Sequence, residues 1–569
     1  MEHACESAEA IANPAARLPA LVEPLEPRVH LTATFKAFIS GVADSGTTVT
    51  IYLWTTGAAA SKWVIAWDSN PAHNQTINAP PGGFSVPYQV SHTYTAQTYS
   101  IVATATSATD GTTAIATYAL NSGFGYPNGD GTQPNDDQGD TIYTPTGAMG
   151  DAGGAGMVVD HGGTSLDGDI YVLSKYNGKA AVTRFTPQGA VDRSFGDTST
   201  PGTWVLSGMG TGTPYGMAIS DDGRYVAVCG SFGGWGVALI DAHANTNQGT
   251  IAFDKSGVVS TGQAFGVCID DTDTYDVYAV GNTVASGTGY CCMAAIELDT
   301  SGNVPSTWNG GHGVCAFSTG SLNACITATS IVDVDEGQGT GDGDDYLALA
   351  GYTTYSGGCD FTLAELTDSG VLETGGTGSD HNFGSGAGYV RTNFGNTIGT
   401  GHGAVHIPST DHAYALAVGL VSGLPYLFAA GGTTALGSES VALGMWSGTD
   451  GSLASFGPYG SDGLSVGQAG DAYSVVVKST GQIVTGGTYN HDMLVSQFDS
   501  SGNLDTTFGS GGNFLIDLGG TSNYSTDSGY GVGLASDGSI LIGGSTTPSG
   551  GSAKIALVDV LASTSIVVS

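Results

Sequence analysis

The run from Asp333 to Asp345 reads Asp-Val-Asp-Glu-Gly-Gln-Gly-Thr-Gly-Asp-Gly-Asp-Asp, carboxylates interleaved with glycine. Such a loop can wrap a hard cation, with Asp335, Asp342, Asp344 and Asp345 as ligands and Ca2+ as the ion it would take. The bidentate Glu that closes an EF-hand loop is missing, so this is not that motif. Asn128-Gly-Asp-Gly-Thr132 through Asp140 has the same character, and both stretches also read as solvated acidic loops. His402, His406 and His412, with Asp411 alongside, offer imidazoles for a metal. Their segment is Gly-rich and carries Pro408, which argues against the helix that would align the first two. Gly463-Leu-Ser-Val-Gly467 fits the nucleophile-elbow pattern, but a chain with 92 glycines yields such a match by chance. It also lacks the parallel strand and following helix that the elbow needs. No set of residues here predicts catalysis.

These groups hang on a repeated framework. One copy runs Ala472-Tyr-Ser-Val-Val-Val-Lys-Ser-Thr-Gly-Gln-Ile-Val-Thr-Gly-Gly487, and the next begins Tyr530-Gly-Val-Gly-Leu-Ala-Ser-Asp-Gly-Ser-Ile-Leu-Ile-Gly-Gly544. Short alternating apolar runs between Asp-Gly and Ser-Gly turns predict antiparallel strands in a meander. The residues closing the second strand are Ser174, Gly230, Gly281, Gly351, Gly431, Gly486 and Gly543, spaced by 56, 51, 70, 80, 55 and 57. One copy cannot bury its apolar face alone, so fixed-period repetition means propeller blades or solenoid turns. Seven copies of four strands, without polar capping repeats, predict an all-β, seven-bladed β-propeller. The last copy stops at Ala562-Ser-Thr-Ser-Ile-Val-Val-Ser569 without an outer strand. Ser122-Gly-Phe-Gly-Tyr-Pro-Asn-Gly129 with Thr141-Ile-Tyr-Thr144 reads like the missing piece, and equally like a linker.

Between the second and third strands of successive copies fall Tyr176, Phe232 with Trp235, Tyr290, Tyr352 with Tyr355, and Tyr489. Closure would bring these turns round one rim, where aromatic faces suit sugar rings. Tyr176, Trp235, Tyr290, Tyr355 and Tyr489 are the candidate ligand-binding residues. The competing reading is that they wedge between neighbouring blades.

Three resemblances follow from quoted residues. Gly-Asn-Leu-Asp-Thr-Thr-Phe-Gly at 502–509, with Gln188-Gly-Ala-Val-Asp-Arg-Ser-Phe-Gly196 and Gly451-Ser-Leu-Ala-Ser-Phe-Gly457, resembles the delta-60 repeat of bacterial surface and secreted proteins. That family is defined by its repeat and not by an active site. Trp63-Val-Ile-Ala-Trp-Asp68, Val90-Ser-His-Thr-Tyr94 and Tyr99-Ser-Ile-Val-Ala-Thr-Ala-Thr106 are similar to a PKD-type immunoglobulin-like β-sandwich, although the usual Gly-Asp-Gly turn is here Asp68-Ser-Asn70. Leu25-Glu-Pro-Arg-Val-His-Leu-Thr-Ala33 is similar to a motif near the start of many planctomycete surface proteins. Together they imply an export or processing segment over 1–30, a sandwich over 31–121, a connection over 122–149 and a propeller over 150–569.

Composition agrees with an exported binding protein. Lys and Arg total 13 against 51 Asp and Glu, a formal charge of −38, so nucleic acid and anionic membranes are not expected partners. No run of about 18 apolar residues could insert in a bilayer. The start, Met1-Glu-His-Ala-Cys-Glu, is acidic where a secretory signal is basic, so export is implied by resemblance and composition alone. Cys229, Cys268, Cys291, Cys292, Cys315, Cys325 and Cys359 cluster in the second to fourth copies, and exported cysteines usually pair. Cys315 and Cys325, flanking a short Gly-Ser turn, are the best candidate disulfide.

The expectation is a non-catalytic extracellular or cell-surface binding or adhesion protein that requires no cofactor. Its partner would be a polysaccharide or a cell-envelope protein. A propeller-fold polysaccharide lyase or glycosidase, and a purely structural envelope component, stay open as alternatives. Oligomeric state is not legible.

Overall fold

Local turn chemistry sets the strand ends. In one hairpin Asp499 Oδ1 accepts hydrogen bonds from the backbone N–H groups of Ser501 and Asn503, both at 2.9 Å, while Gly502 supplies the positive φ. Turns of this kind punctuate a computed structural model that is almost wholly antiparallel β. It describes residues 36–45, 48–56, 59–67, 74–80, 88–93, 100–109, 111, 113–119, 124, 140–145, 147–148, 152–270, 274–284, 291–318, 325–334, 346–355, 358–374, 382–395, 409–421, 423–458, 463–509, 511–518 and 525–560.

The N-terminal part holds a three-stranded sheet (Lys36–Ser45, Thr48–Thr56, Tyr88–Thr93) and a four-stranded one (Gln75–Asn78, Ala60–Ala66, Ser100–Ser107, Thr113–Ala119). Leu53 and Val90 from the first pack with Trp63, Ile65, Ile101, Ala103 and Ala105 from the second. Trp67 donates from Nε1 to Gln75 Oε1 at 3.1 Å and stacks on His92, ring centroids 4.9 Å apart.

Among the described residues seven further four-stranded sheets follow, and they make a propeller-type fold. Their inner strands are Gly154–Val159, Thr213–Ile219, Gln263–Asp270, Cys325–Val334, Asp411–Val421, Asp471–Val477 and Thr526–Leu534. Each inner strand packs beside the next, and the seventh lies against the first, so the sheets close a ring. The seventh sheet takes its outer strand, Asp140–Tyr143, from upstream of the first, paired antiparallel with Lys554–Val560.

Buried aromatics hold neighbouring sheets together. Trp235 Nε1 donates to the carbonyl of Asn282 in the third sheet at 3.0 Å, and Trp446 Nε1 to Thr392 Oγ1 in the fourth at 3.3 Å. Phe195, Phe456 and Phe508, each followed by a glycine at positive φ, are buried in the interior. Each such side chain contributes roughly 1.5–3 kcal/mol by leaving water.

Cys229, Cys268, Cys291, Cys292, Cys315 and Cys359 form no disulfide, and five of them are buried. This corrects the expected Cys315–Cys325 disulfide. Cys315 packs in the same apolar cluster as Trp308 and Met293, and burial pushes its thiol up to about 11. These sulfurs serve as small apolar fillers. Among the described residues no helix is long and apolar enough to cross a membrane.

Candidate functional site

On every one of the seven inner strands the pairing with the second strand slips by one residue. The residues left over are Ala155, Tyr215, Phe265, Thr329, Tyr414, Tyr473 and Tyr530. Across from these slips stand Ser174, Gly230, Gly281, Gly351, Gly431, Gly487 and Gly544. A β-carbon on any of the six glycines would overlap a carbonyl oxygen of its own inner strand. The recurring glycine therefore exists to admit the bulge, and the bulge re-aims one side chain per sheet.

All seven re-aimed residues line one cavity of about 580 Å3 at the mouth of the ring. Beneath it a channel of about 500 Å3 is lined by all seven inner strands, with Asp221 and Asp333 along it. Five of the seven mouth residues are aromatic. Tyr215 and Phe265 form a pair with ring centroids 4.9 Å apart. Tyr414, Tyr473 and Tyr530 form a continuous wall, at 5.3 and 5.5 Å between successive rings. Ala155 and Thr329 separate the two groups, and Thr329 Oγ1 is committed to the carbonyl of Ala413 at 2.6 Å. Tyr215 and Tyr530 are 36% and 37% exposed, so the arc is open to ligand.

Charge sits behind the wall. Asp471 Oδ2 accepts from Tyr473 Oη at 3.5 Å, and its Oδ1 is buried without a hydrogen-bond partner. Burial, reinforced by the Glu439 carboxylate, pushes Asp471 up to about 6. Burial also raises the Tyr414 and Tyr473 phenols, so both stay neutral and able to donate. His412 stacks on Tyr414 at 5.8 Å and meets Tyr352 edge-on at 4.6 Å. Burial lowers its pKa, with Glu439 acting the other way. Lys175 is the cationic residue on the mouth lining.

The residues singled out from sequence are distributed differently. Trp235 is fully buried and tied to the next sheet, so it packs sheets and offers no platform. Tyr489 ends its strand half-buried against an apolar cluster, and Tyr176 is half-buried with its hydroxyl over Gly147. Both close turns on the same face as the mouth, since the second strand ends where the inner strand begins. Tyr290, Asp335, Asp342, Asp344, Asp345, His402 and His406 lie outside the described residues, as does the side chain of Tyr355. The Leu25–Ala33 motif lies outside them too. Asp411 is a buried acceptor for Phe394 N–H, Ser409 Oγ and Thr433 Oγ1, a structural role. Ser465 of the elbow-like motif is buried within an outer strand.

Alternation along the inner strands does not mark the mouth residues, because the bulge breaks it at that point. A signal was present, an aromatic between small residues at the head of five of the seven copies: Pro214-Tyr-Gly216, Ala264-Phe-Gly266, Ala413-Tyr-Ala415, Ala472-Tyr-Ser474 and Gly529-Tyr-Gly531. Among the described residues one acidic group could hold a metal ion. Asp492, Asp517 and Asp527 offer oxygens within 4.8 Å of one another. Burial and its two neighbours push Asp492 up to about 7.

No protein-family model and no curated protein matches the chain. Among solved structures it is similar to a candidate 6-phosphogluconolactonase from Bacteroides fragilis, 9% identical with a TM-score of 0.32 over 79% of this chain and 93% of that one. It is also similar to a prolyl endopeptidase, 12% identical with a TM-score of 0.32, covering 74% of this chain and 50% of that one. Drosophila semaphorin 1b, extracellular domains 1–2, is 8% identical with a TM-score of 0.28 over 92% of this chain and 86% of that one.

Proposed function

We propose that this is a non-catalytic extracellular or cell-surface binding protein that holds a polysaccharide segment in the mouth of a seven-bladed propeller. The blades are delta-60-like repeats over 150–569, with 122–149 supplying the closing strand, and a PKD-like sandwich over 31–121 acts as spacer. One observation carries the reading. A backbone device repeated seven times delivers five aromatic rings to one opening, although the Ala and Thr at the other two positions serve packing equally well. Aromatic faces give sugar rings an apolar platform, and the phenols add a polar edge. Tyr176 and Tyr489 extend that surface outward on the same face. Several weak contacts, or many displayed copies, would give avidity.

A glycan array followed by calorimetry tests this. Tyr473→Ala with Tyr530→Ala should weaken retained glycans at least about tenfold, with little change in melting temperature, because neither ring belongs to the buried apolar clusters between sheets. A wild-type chain that retains no glycan, or a double variant that binds as well as wild type, would sink the proposal.

A further inference from the structure

Resting on that polysaccharide reading, we infer that the mouth selects glycans bearing free amines, an ammonium docking on the Tyr414–Tyr473–Tyr530 wall with Asp471 behind it.

The geometry of the wall is the first ground. Three phenol rings from three consecutive sheets adjoin at 5.3 and 5.5 Å, tilted to one another by 51° and 36°, so a cation held over one ring lies beside the next. Aromatic faces attract ammonium groups within about 6 Å of a ring centroid. The pair Tyr215 and Phe265 across the opening can stack the uncharged sugar that follows.

The second ground is the charge behind the wall. Tyr473 points its hydroxyl at the Asp471 carboxylate, which draws electron density back into that ring and strengthens its hold on a cation. Asp471 Oδ1 is buried and meets no donor among the described residues, and the neighbouring carboxyl is Glu439, with which Asp471 competes for a proton. A half-buried carboxylate beside a second, exposed one is costly to ionise without a counter-ion, and a ligand ammonium relieves that cost. His412, the basic group packed against the wall, is held toward its neutral form by burial and does not compensate them. Lys175 lies at the mouth in the first sheet, next to the seventh that carries Tyr530, and the seventh sheet stands between it and Asp471 in the sixth.

The third ground is the field of the whole chain. At −38 it draws cationic polymers in and turns anionic ones away, so uronic-acid or sulfated glycans are the wrong class. Ligand charge and Asp471 titration are then coupled. An ammonium favours the carboxylate form, so binding strengthens as pH rises through about 6, until the amine itself loses its proton.

Calorimetry on the full chain at pH 6 tests this with three hexasaccharides of one β-1,4 backbone: fully deacetylated glucosamine, N-acetylglucosamine and glucose. The deacetylated oligomer should bind at least about tenfold tighter than the other two, the size of a desolvated cation–π contact. Asp471→Asn should bring that preference to within about twofold while keeping the affinity shared by all three. Tyr473→Phe, which keeps the ring and removes the hydroxyl, serves as a second probe and should reduce the preference in part. Equal binding of the three oligomers would overturn amine selection and leave the polysaccharide reading standing. A preference that survives in both Asp471→Asn and Tyr473→Phe would overturn it too, as diffuse attraction to an acidic protein. Failure of all three oligomers to bind, with no other glycan retained on the array, would remove both proposals.

Discussion

The carbonyl oxygen of Asp471 occupies the place where Gly487 of the paired second strand would carry a β-carbon, because the inner strand that Asp471 opens bulges at Tyr473. That relationship ties a repeated glycine on the second strand to an aromatic ring at the channel mouth. It also gives the repeated glycine a measurable cost.

Gly487→Ala should therefore destabilise the protein by about 2–4 kcal/mol, in the range of overpacking with lost strand pairing. The comparison is Gly538→Ala, at a turn with φ +84° and open space around it, which should cost about 1 kcal/mol from backbone strain alone. Denaturant melts of the two variants check this, and equal losses would separate the glycine from the bulge.

Trp235→Ala should cost about 3–5 kcal/mol, since it empties a buried site and strands the carbonyl of Asn282. The folded fraction should bind glycan as wild type does. A variant that melts normally but loses ligand would restore Trp235 to the binding surface.

Asp492 makes stability depend on pH in a defined sense. Its ordinary value of 3.8 is raised to about 7 by burial and then by Asp517 and Asp527. The stability it contributes is full below about pH 4 and is lost as pH rises through 7. Asp492→Asn should thus be more stable than wild type at pH 8, by about 1–2 kcal/mol after solvent screening, and equal to it at pH 4. Thermal melts across that range read the difference, and a constant offset would contradict the assignment.

The thiols give an independent check on packing. Under native conditions a maleimide reagent should label Cys291 first, while the buried Cys229, Cys268, Cys292, Cys315 and Cys359 wait for unfolding. Mass mapping without reductant that found a disulfide among these six would contradict the packing described.

Periodicity made the strands legible, and turn chemistry at residues such as Asp499 and Gly502 made the hairpins legible. Which side of a strand faces the ligand was not legible in the same way. A bulge inserts one residue and reverses the parity of everything before it, so alternation counted back through Val475 misplaces Tyr473. Trp235 misleads for the opposite reason. It follows a Gly-Gly turn and looks exposed in sequence, yet it opens the third strand and tucks against the neighbouring sheet. Contacts between sheets far apart in sequence are decided by tertiary packing, and no local pattern records them.

The clasp that closes the ring has a mechanical consequence. Asp140–Tyr143 pairs with Val558–Ile555, and Thr141 Oγ1 reaches the carbonyl of Gly189 in the first sheet at 2.9 Å. A pull on the N-terminal module enters the ring through this short strand, at the seam between its first and last sheets. With the strand peeled away, Lys554–Val560 becomes an exposed edge able to pair with another chain. Tension would convert a closed ring into one with a free strand edge.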